Sequence, residues 1–170
     1  MKRIAKFEKV SFEQFDKDLK NCFPNKSGEE NRGIYDNLEL PTRSTMGSAG
    51  YDFKSPFNFI LKPNQTIKFP TGIRCKIEEG WVLHCYPRSS LGFKYRLQLD
   101  NTVGIIDSDF YFSDNEGDIH AKLTNCTNEN KKVFISVGDG FMQGVFLEYG
   151  ITEDDDCVNI RNGGIGSTGN

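Results

Sequence analysis

Two carboxylates separated by one residue follow a run of strand-forming side chains in residues 101–110. Asp107 and Asp109 would point to one face of an extended strand, because side chains alternate between the two faces of a sheet. Gly104 precedes them at a point where the backbone could approach a ligand closely. Such a carboxylate pair could position a water molecule or a cation beside a flat ligand. The alternative is an ordinary strand that ends in a solvated acidic turn.

Four further polar segments interrupt the strand-forming sequence. Asp52 stands beside a glycine and an aromatic residue, and Arg88 precedes two hydroxyl side chains. Gln143 lies within an otherwise apolar run. The C-terminal segment 161–170 contains four glycines, whose N–H groups could wrap an anion while Arg161 supplies charge. A frayed terminus is the alternative interpretation of that segment.

The composition indicates one domain, with or without an appendage, in a chain of 170 residues with a net charge of -3. Proteins that bind duplex nucleic acid usually carry a basic face, and the sequence gives no sign of one. No apolar run approaches the roughly 18 residues that cross a bilayer, and the N-terminus lacks the apolar core of a signal peptide. We therefore expect a soluble, cytoplasmic protein with no nucleic-acid or membrane partner.

The five cysteines are scattered, and no two of them form a Cys-x-x-Cys motif. This pattern argues against a disulfide framework and against a thiolate zinc site, and it suits a reducing cytosol. His84 and His120 lack the spacing of a metal-binding or base motif, so both are predicted to be structural. The acidic run 153–156 could bind a cation or could simply be solvated.

One amphipathic helix is predicted near the N-terminus. Ser11 and Gln14 have the spacing of a capping box, and apolar residues then recur at helical spacing until Pro24. Residues 26–33 are polar and contain glycine, so they predict a loop. Residues 1–33 are therefore expected to form a helical appendage with no chemistry of its own.

From residue 34 onward the sequence predicts many short strands. Runs rich in β-branched and aromatic residues alternate with turns that contain Gly, Pro, Asn or Asp, and no second helix is predicted. Many short strands separated by turns are typical of a sandwich, a jelly roll or a barrel. The predicted fold class is all-β with one short N-terminal helix.

The polar segments resemble, in order and spacing, the five motifs of the trimeric deoxyuridine triphosphatases (dUTPases). The resemblance implies a homotrimer of distorted jelly rolls, of the β-clip type, whose active sites draw on more than one subunit. It implies hydrolysis of dUTP to dUMP and pyrophosphate with Mg²⁺. It also divides the chain into an N-terminal appendage (1–33), a β domain (34–160) and a mobile C-terminal arm (161–170). The motifs are residues 49–53, 87–92, 104–110, 138–145 and 161–169.

The resemblance implies a role for each matched residue. Asp107 matches the acid that orients and deprotonates the attacking water. Asp52 matches the acid that reaches the hydrated Mg²⁺ ion, consistent with a metal that keeps several waters. The other matched side chains contact the substrate. Among them are Arg88, Ser89 and Gln143 at the phosphates, Asn101 and Gly104 at the uracil edge, Phe110 at the deoxyribose, and also Ser90 and Ile106.

The matched C-terminal arm closes over the γ-phosphate through Arg161 and the amides of Gly166, Ser167 and Thr168. Ile165 stands in this arm where the family usually has an aromatic residue that covers the uracil ring. An aliphatic residue can bury the base but gives no aromatic stacking. The resemblance therefore predicts a weaker closure of the arm.

Three other positions depart from the family pattern. Phe110 replaces the usual tyrosine and keeps the ring that packs on deoxyribose and excludes a 2′-hydroxyl. Residues 111–116 stand where the family has a single residue and lengthen the hairpin beside the site. Gly140 replaces an arginine, which puts one contact that anchors the arm in doubt.

Two alternatives remain at this stage. The dCTP deaminases share the fold, and a deaminase or bifunctional enzyme would need a proton-transfer carboxylate at the pyrimidine amino group. The third and fifth motifs follow the triphosphatase pattern instead. A jelly-roll module that binds nucleotide or protein without turnover is the second alternative. The joint presence of five matched residues argues against it, namely Asp107, Arg88, Ser89, Gln143 and Arg161.

Overall fold

Antiparallel β-strands are the main regular structure of the protein in a computed structural model that describes residues 2–161 and residue 163. This architecture confirms the mainly β prediction, because β-branched and aromatic residues occupy the strands and Gly, Pro, Asn and Asp occupy the turns. The strands of the described chain are β1 Ala5–Lys9, β2 Tyr51–Lys54, β3 Phe59–Leu61, β4 Thr66–Pro70, β5 Ile73–Ile77, β6 Trp81–Pro87, β7 Leu97–Leu99, β8 Gly104–Ile106, β9 His120–Asn125, β10 Val133–Ile135 and β11 Gly140–Glu148.

The strands pair into four small sheets, and all of these pairs are antiparallel. The largest sheet has the order β2-β11-β6-β8, and a three-stranded sheet has the order β4-β9-β7. Strands β1 and β5 form one pair, and β3 and β10 form another. Non-consecutive strands are neighbours throughout, so the chain crosses repeatedly between sheets.

A phenylalanine-rich core lies between the sheets. Phe69 and Phe141 are fully buried, and their ring centroids are 5.2 Å apart. Phe57 lies at 5.2 Å from Phe69 in an edge-on arrangement, which is a favourable geometry for aromatic pairs. Buried leucine, isoleucine and valine residues from six strands complete the same cluster. The four-stranded sheet is thereby fixed against this core by one of its faces.

The N-terminal segment pairs with the β domain through β1. Phe7 is opposite Cys75 on β5, and its ring packs 5.6 Å from that of Phe53. The backbone N–H of Val10 also donates to the carbonyl of Gly72 at 3.0 Å. Strand β1 was not predicted, because three of its five residues are charged and its two apolar residues give only a weak strand pattern.

Helix α1 (Phe12–Cys22) confirms the predicted N-terminal helix. Its N-cap is Ser11, whose hydroxyl accepts a hydrogen bond from the backbone N–H of Gln14. The capping box is incomplete, because the Gln14 side chain donates to Asp18 at 2.8 Å instead of returning to Ser11. Phe15 and Leu19 are fully buried and fix the helix on the β domain in a second, smaller apolar cluster.

Two further helices and one 3-10 turn occur in the described chain. Helix α2 (Gly28–Asp36) begins at a complete capping box formed by Ser27 and Glu30, so the predicted loop at residues 26–33 is wrong. The glycines and polar residues of α2 obscure its helical pattern. Helix α3 (Ser89–Tyr95) is short and contains Gly92, which explains why it was not predicted. A 3-10 helix covers Ser108–Phe112.

The cysteine side chains are all unpaired, as the sequence analysis predicts, and Cys75 and Cys85 are buried. Among the helices of the described residues, none has both the length and the apolar character that crossing a membrane requires.

Candidate active site

A cavity of about 290 Å³ lies beside strand β8. Gly104 on β8 and Cys85 on β6 are directly opposite each other and both line it. Burial raises the pKa of the Cys85 thiol to about 12, so the thiol is neutral and presents an apolar surface. A Cβ atom at position 104 would lie 3.2 Å from Cys85 Cβ and 3.6 Å from Asn101 Nδ2. Glycine therefore keeps this part of the cavity open.

Five of the predicted substrate residues line this cavity together with the predicted base. Its size is near the lower end of ligand pockets, so it suits a small planar ligand better than an extended one. Phe110 is buried and supplies a ring to the wall, and Asn101 is exposed and supplies an amide. The predicted residues at the cavity are Asn101, Gly104, Ile106, Asp107, Phe110 and Arg161.

Asp107 and Asp109 share one arginine. Arg161 Nη2 donates to Asp107 Oδ2 at 2.6 Å, and Arg161 Nε donates to Asp109 Oδ1 at 2.8 Å. The predicted extended strand through both acids is wrong, because β8 ends at Ile106 and the 3-10 helix begins at Ser108. The carboxylates nevertheless converge on one guanidinium. The Asp107 side chain is 47% exposed, so a water molecule can reach it.

A second group of predicted residues lies where β2, β11 and β6 run side by side. Gln143 on β11 is directly opposite both Asp52 on β2 and Tyr86 on β6. Arg88 follows β6, and its Nη2 lies 3.5 Å from Asp52 Oδ2. The Ser44 hydroxyl donates to the same Asp52 oxygen at 3.0 Å. This group combines one carboxylate with cationic and amide donors, which suits a metal-bound polyanion.

Gly140 leaves the space that Arg88 occupies. An added Cβ at position 140 would lie 3.0 Å from Arg88 Nη1 and 3.3 Å from Arg88 Cζ. The backbone N–H of Arg88 also donates to the carbonyl of Phe141 at 3.3 Å. The guanidinium is therefore positioned over β11 at a point where a side chain on residue 140 would press against it.

The two groups of residues are separated by the alternation of side chains on β11. Met142 is buried, lines the cavity and lies on the same face as Cys85 and Gly104. Its neighbour Gln143 must point to the opposite face, which it shares with Asp52. Within one chain, the cavity and the Asp52 group therefore lie on opposite faces of the four-stranded sheet.

The remaining predicted residues are at helix α3 and in the C-terminal segment. Ser89 and Ser90 are the first two residues of α3, and both are exposed. Ile165, Gly166, Ser167 and Thr168 lie outside the described residues. Ser44, which was not predicted, contacts Asp52 from a turn that carries no recognisable motif.

Residues 111–116, which lengthen the hairpin, contact the N-terminal segment. The Tyr111 hydroxyl donates to Glu8 Oε2 at 2.6 Å, and the Arg74 guanidinium lies 4.4 Å from the centroid of the Tyr111 ring. The hydrogen bonds with Lys6 and Tyr111 hold the pKa of Glu8 below its usual range. These contacts connect the insertion to β1 and β5, beside the 3-10 helix of the site.

His120, predicted to be structural, lies next to two buried carboxylates. Asp18 on α1 and Asp118 before β9 place side-chain oxygens near its ring. Asp18 and Asp118 are 100 positions apart, so sequence spacing gave no signal for this cluster. A local pattern could have shown only one pair of this three-residue cluster. That pair is Asp118 and His120, which are two positions apart at the start of β9.

Comparisons with known proteins identify the relatives of the chain. The family model described as dUTPase matches residues 36–169. A deoxyuridine 5'-triphosphate nucleotidohydrolase of Lactococcus lactis subsp. lactis (strain IL1403) is 38% identical over 135 residues, which are 78% of this chain and 89% of the relative.

Solved structures of similar proteins share the fold. The crystal structure of dUTPase from Streptococcus mutans is 30% identical with a TM-score of 0.63, and the match covers 86% of this chain and 98% of that chain. A dUTPase from phage phi11 of S. aureus, whose structure shows the coordination of a structural Mg(II) ion, is 17% identical with a TM-score of 0.61 over 92% of this chain and 98% of that one. These neighbours confirm the predicted jelly-roll type of fold.

Proposed function

The chain belongs to the dUTPase family, as its motifs predict, and on that premise we propose that it hydrolyses dUTP to dUMP and pyrophosphate. The relatives are enzymes, deoxyuridine 5'-triphosphate nucleotidohydrolases by name. One observation carries the proposal for this chain: the carboxylate of Asp107 lies at a cavity that Asn101, Gly104 and Phe110 also line. A base-binding cavity with an accessible carboxylate beside it is what attack of water on a bound nucleotide requires.

The cavity would hold the uracil and deoxyribose. Asn101 and the backbone at Gly104 can read the polar edge of the base, and the ring of Phe110 can pack on the sugar. The volume of about 290 Å³ leaves no room for a triphosphate as well. The phosphates must therefore extend out of the cavity, past Asp107.

Asp107 would orient the attacking water and accept its proton. A general base must be ionised and within hydrogen-bond reach of that water. In the structure, Arg161 contacts the carboxylate at Asp107 Oδ2. A bound triphosphate offers the Arg161 guanidinium stronger anionic partners. Movement of the guanidinium from Asp107 to the phosphates would leave the Asp107 oxygen free to bind the water. This exchange would couple binding of the phosphates to exposure of the base.

The Asp52 group would bind the phosphates and Mg²⁺. Arg88 and Gln143 are suited to phosphate oxygens, and Ser89 and Ser90 expose hydroxyl groups nearby in sequence. Asp52 supplies a carboxylate oxygen, which is the ligand type that Mg²⁺ prefers, directly or through water. A Mg²⁺ ion held by Asp52 would offset the negative charge of the phosphates.

We further propose that the enzyme is a homotrimer with shared active sites. The cavity and the Asp52 group lie on opposite faces of one sheet, so a single dUTP cannot contact both within one chain. A symmetric assembly would bring the cavity of one subunit to the Asp52 group of another.

The proposal also keeps the division of the chain into an N-terminal appendage, a β domain and a C-terminal arm, with boundaries at residues 33 and 160. The boundary at residue 33 falls inside α2. The unpaired cysteines favour a cytoplasmic location.

The test is pyrophosphate release from dUTP by the purified protein with Mg²⁺, compared with dCTP and with UTP. We expect turnover of dUTP, no ammonia from dCTP, and a strong preference over UTP because the Phe110 ring closes on the sugar. Ammonia release from dCTP would establish the deaminase alternative, and binding without pyrophosphate release would establish the non-catalytic one. The family comparisons favour neither alternative.

A further inference from the structure

Three side chains with metal-binding atoms converge between helix α1 and strand β9. The atoms that Asp18, Asp118 and His120 offer all lie within 4.8 Å of one another. His120 Nε2 lies 3.4 Å from Asp18 Oδ2 and 4.0 Å from Asp118 Oδ2. The cluster thus joins the N-terminal segment to the strand that follows the insertion.

Asp118 is buried and only half satisfied. Its side chain is 0% exposed, and Oδ1 accepts a hydrogen bond from the backbone N–H of Gly72 at 2.9 Å. Its second oxygen, Oδ2, is directed at His120 and has no hydrogen-bond partner, and Nε2 of His120 has none either. Buried polar atoms are nearly always paired, so these two atoms indicate a partner that is not a protein group.

Burial and the short distance between the two carboxylates perturb both of them. Burial raises the pKa of Asp118 well above its ordinary value near 3.8, and the Asp18 charge adds to the effect. Burial also acts on Asp18, but the neighbouring His120 ring and the hydrogen bond from Gln14 outweigh it and hold the pKa of Asp18 below its ordinary value. Two carboxylates this close need a proton or a cation between them.

We propose that Asp18, Asp118 and His120 form a site for a divalent transition-metal ion of the Zn²⁺ type. One imidazole nitrogen and two carboxylate oxygens suit such an ion better than Mg²⁺, which prefers oxygen ligands alone. Ligands at about 2.0–2.2 Å in tetrahedral geometry lie about 3.3 Å from each other. The 3.4 Å separation matches this geometry, and the 4.0 Å separation requires only a small movement.

The surroundings supply the orientation and access that a metal site needs. The Gln14 amide donates to Asp18 Oδ2 and orients that carboxylate, as outer groups commonly do at metal centres. The side chains of Asp18 and His120 are 10% and 14% exposed, so the edge of the cluster reaches solvent. Since α1 supplies one ligand and β9 another, the ion would hold the N-terminal segment to the β domain.

This site is separate from the Mg²⁺ site proposed at Asp52. It touches the nucleotide cavity at one residue. His120 also lines the cavity, next to Ile119 and Phe110. A metal ion on Nε2 would fix the imidazole in that wall. The proposal does not depend on dUTP hydrolysis, because metal binding is measured directly.

The experiment is calorimetric titration of Zn²⁺ into the EDTA-treated, dialysed full chain at neutral pH, repeated with Mg²⁺. We expect one Zn²⁺ per chain with a micromolar or lower Kd, and no comparable heat from Mg²⁺. Asp118→Asn keeps the oxygen that accepts from Gly72 and removes a charge, and His120→Gln removes the imidazole. Each change should weaken Zn²⁺ binding by at least about tenfold. Asp154→Asn, in the exposed acidic run, is the matched control and should bind like the parent.

Zn²⁺ should also raise the melting temperature of the parent chain and of Asp154→Asn, and not that of the two ligand variants. Absence of Zn²⁺ binding, or equal binding by parent and ligand variants, overturns the proposal. Preference for Mg²⁺ overturns it as well, because the imidazole would then not be a ligand. If Asp118→Asn fails to fold, as judged by circular dichroism, Asp18→Asn takes its place beside His120→Gln.

Discussion

Glu116 accepts two hydrogen bonds from Ser11, one from the backbone N–H at 2.7 Å and one from the hydroxyl at 2.6 Å. Ser11 is the N-cap of α1, so an acid 105 positions away takes the place that a capping-box side chain would fill. The insertion and the N-terminal segment, two parts of the chain with no role assigned by the family motifs, therefore stabilise each other.

Removal of this contact should loosen the N-terminal segment. We expect Glu116→Ala to lower the free energy of unfolding by about 1–2 kcal/mol, because two charge-assisted hydrogen bonds at a helix N-cap are lost. Urea unfolding measures the change. Asp114→Asn is the control, since Asp114 is an exposed acid of the same insertion. Equal stability of Glu116→Ala and the parent would show that the contact contributes nothing in solution.

The decrease in the free energy of unfolding at acid pH should depend in part on Glu8. Its pKa is lowered by hydrogen bonds with Lys6 and Tyr111, so its contribution is present above the unfolded pKa near 4.5 and is lost as pH falls through the folded value. The group is at the surface, so we expect less than about 1 kcal/mol. Glu8→Gln should therefore make the free energy of unfolding depend less on pH in this range. Urea unfolding between about pH 3 and about pH 7 measures the change. An unchanged curve would exclude Glu8 as its source.

Asp107→Asn should retain nucleotide binding and lose turnover. Loss of a general base costs about 10²–10⁴-fold in rate, and asparagine keeps the shape of the side chain. Binding of a non-hydrolysable dUTP analogue and single-turnover hydrolysis separate the two effects. Asp154→Asn controls for the loss of one negative charge. A rate within about two- or threefold of the parent would refute the role of Asp107.

Gly140→Ala should displace Arg88 and weaken binding of dUTP. The added Cβ would lie 3.0 Å from Arg88 Nη1, so the guanidinium must shift in its place beside Asp52. We expect kcat/KM for dUTP to fall roughly tenfold, about 1.4 kcal/mol. Gly150→Ala is the matched control, because nothing lies within 4 Å of a Cβ at that position. If both variants match the parent, Arg88 does not need the space that Gly140 leaves.

The strands of the β domain were predictable because their patterns are local. Strand β5 shows such a pattern, since apolar residues alternate along it and turns flank it. Helix α2 was not predictable in the same way, because its stability comes from a capping box and from packing rather than from an apolar stripe.

The candidate site shows the same limit. Motifs identified Asp107, Asp52 and Gln143 by type and order, but only the register of β11 revealed which of them share a face of the sheet. The contacts of Glu116 with Ser11 and of Asp18 with His120 join distant parts of the chain. Such pairings depend on how the whole chain packs, and no local spacing encodes them.

The opposite orientation of Met142 and Gln143 makes the enzyme a candidate for complementation between inactive subunits. If each site takes Asp107 from one chain and Gln143 from another, Asp107→Asn and Gln143→Ala chains refolded together should regain activity. Random mixing of equal amounts would leave about a quarter of the sites with both residues intact. Chains with Asp52→Asn mixed with Gln143→Ala should regain none, because both residues come from one face of the same subunit. Two inactive chains with different substitutions would thus form some intact sites when they assemble together.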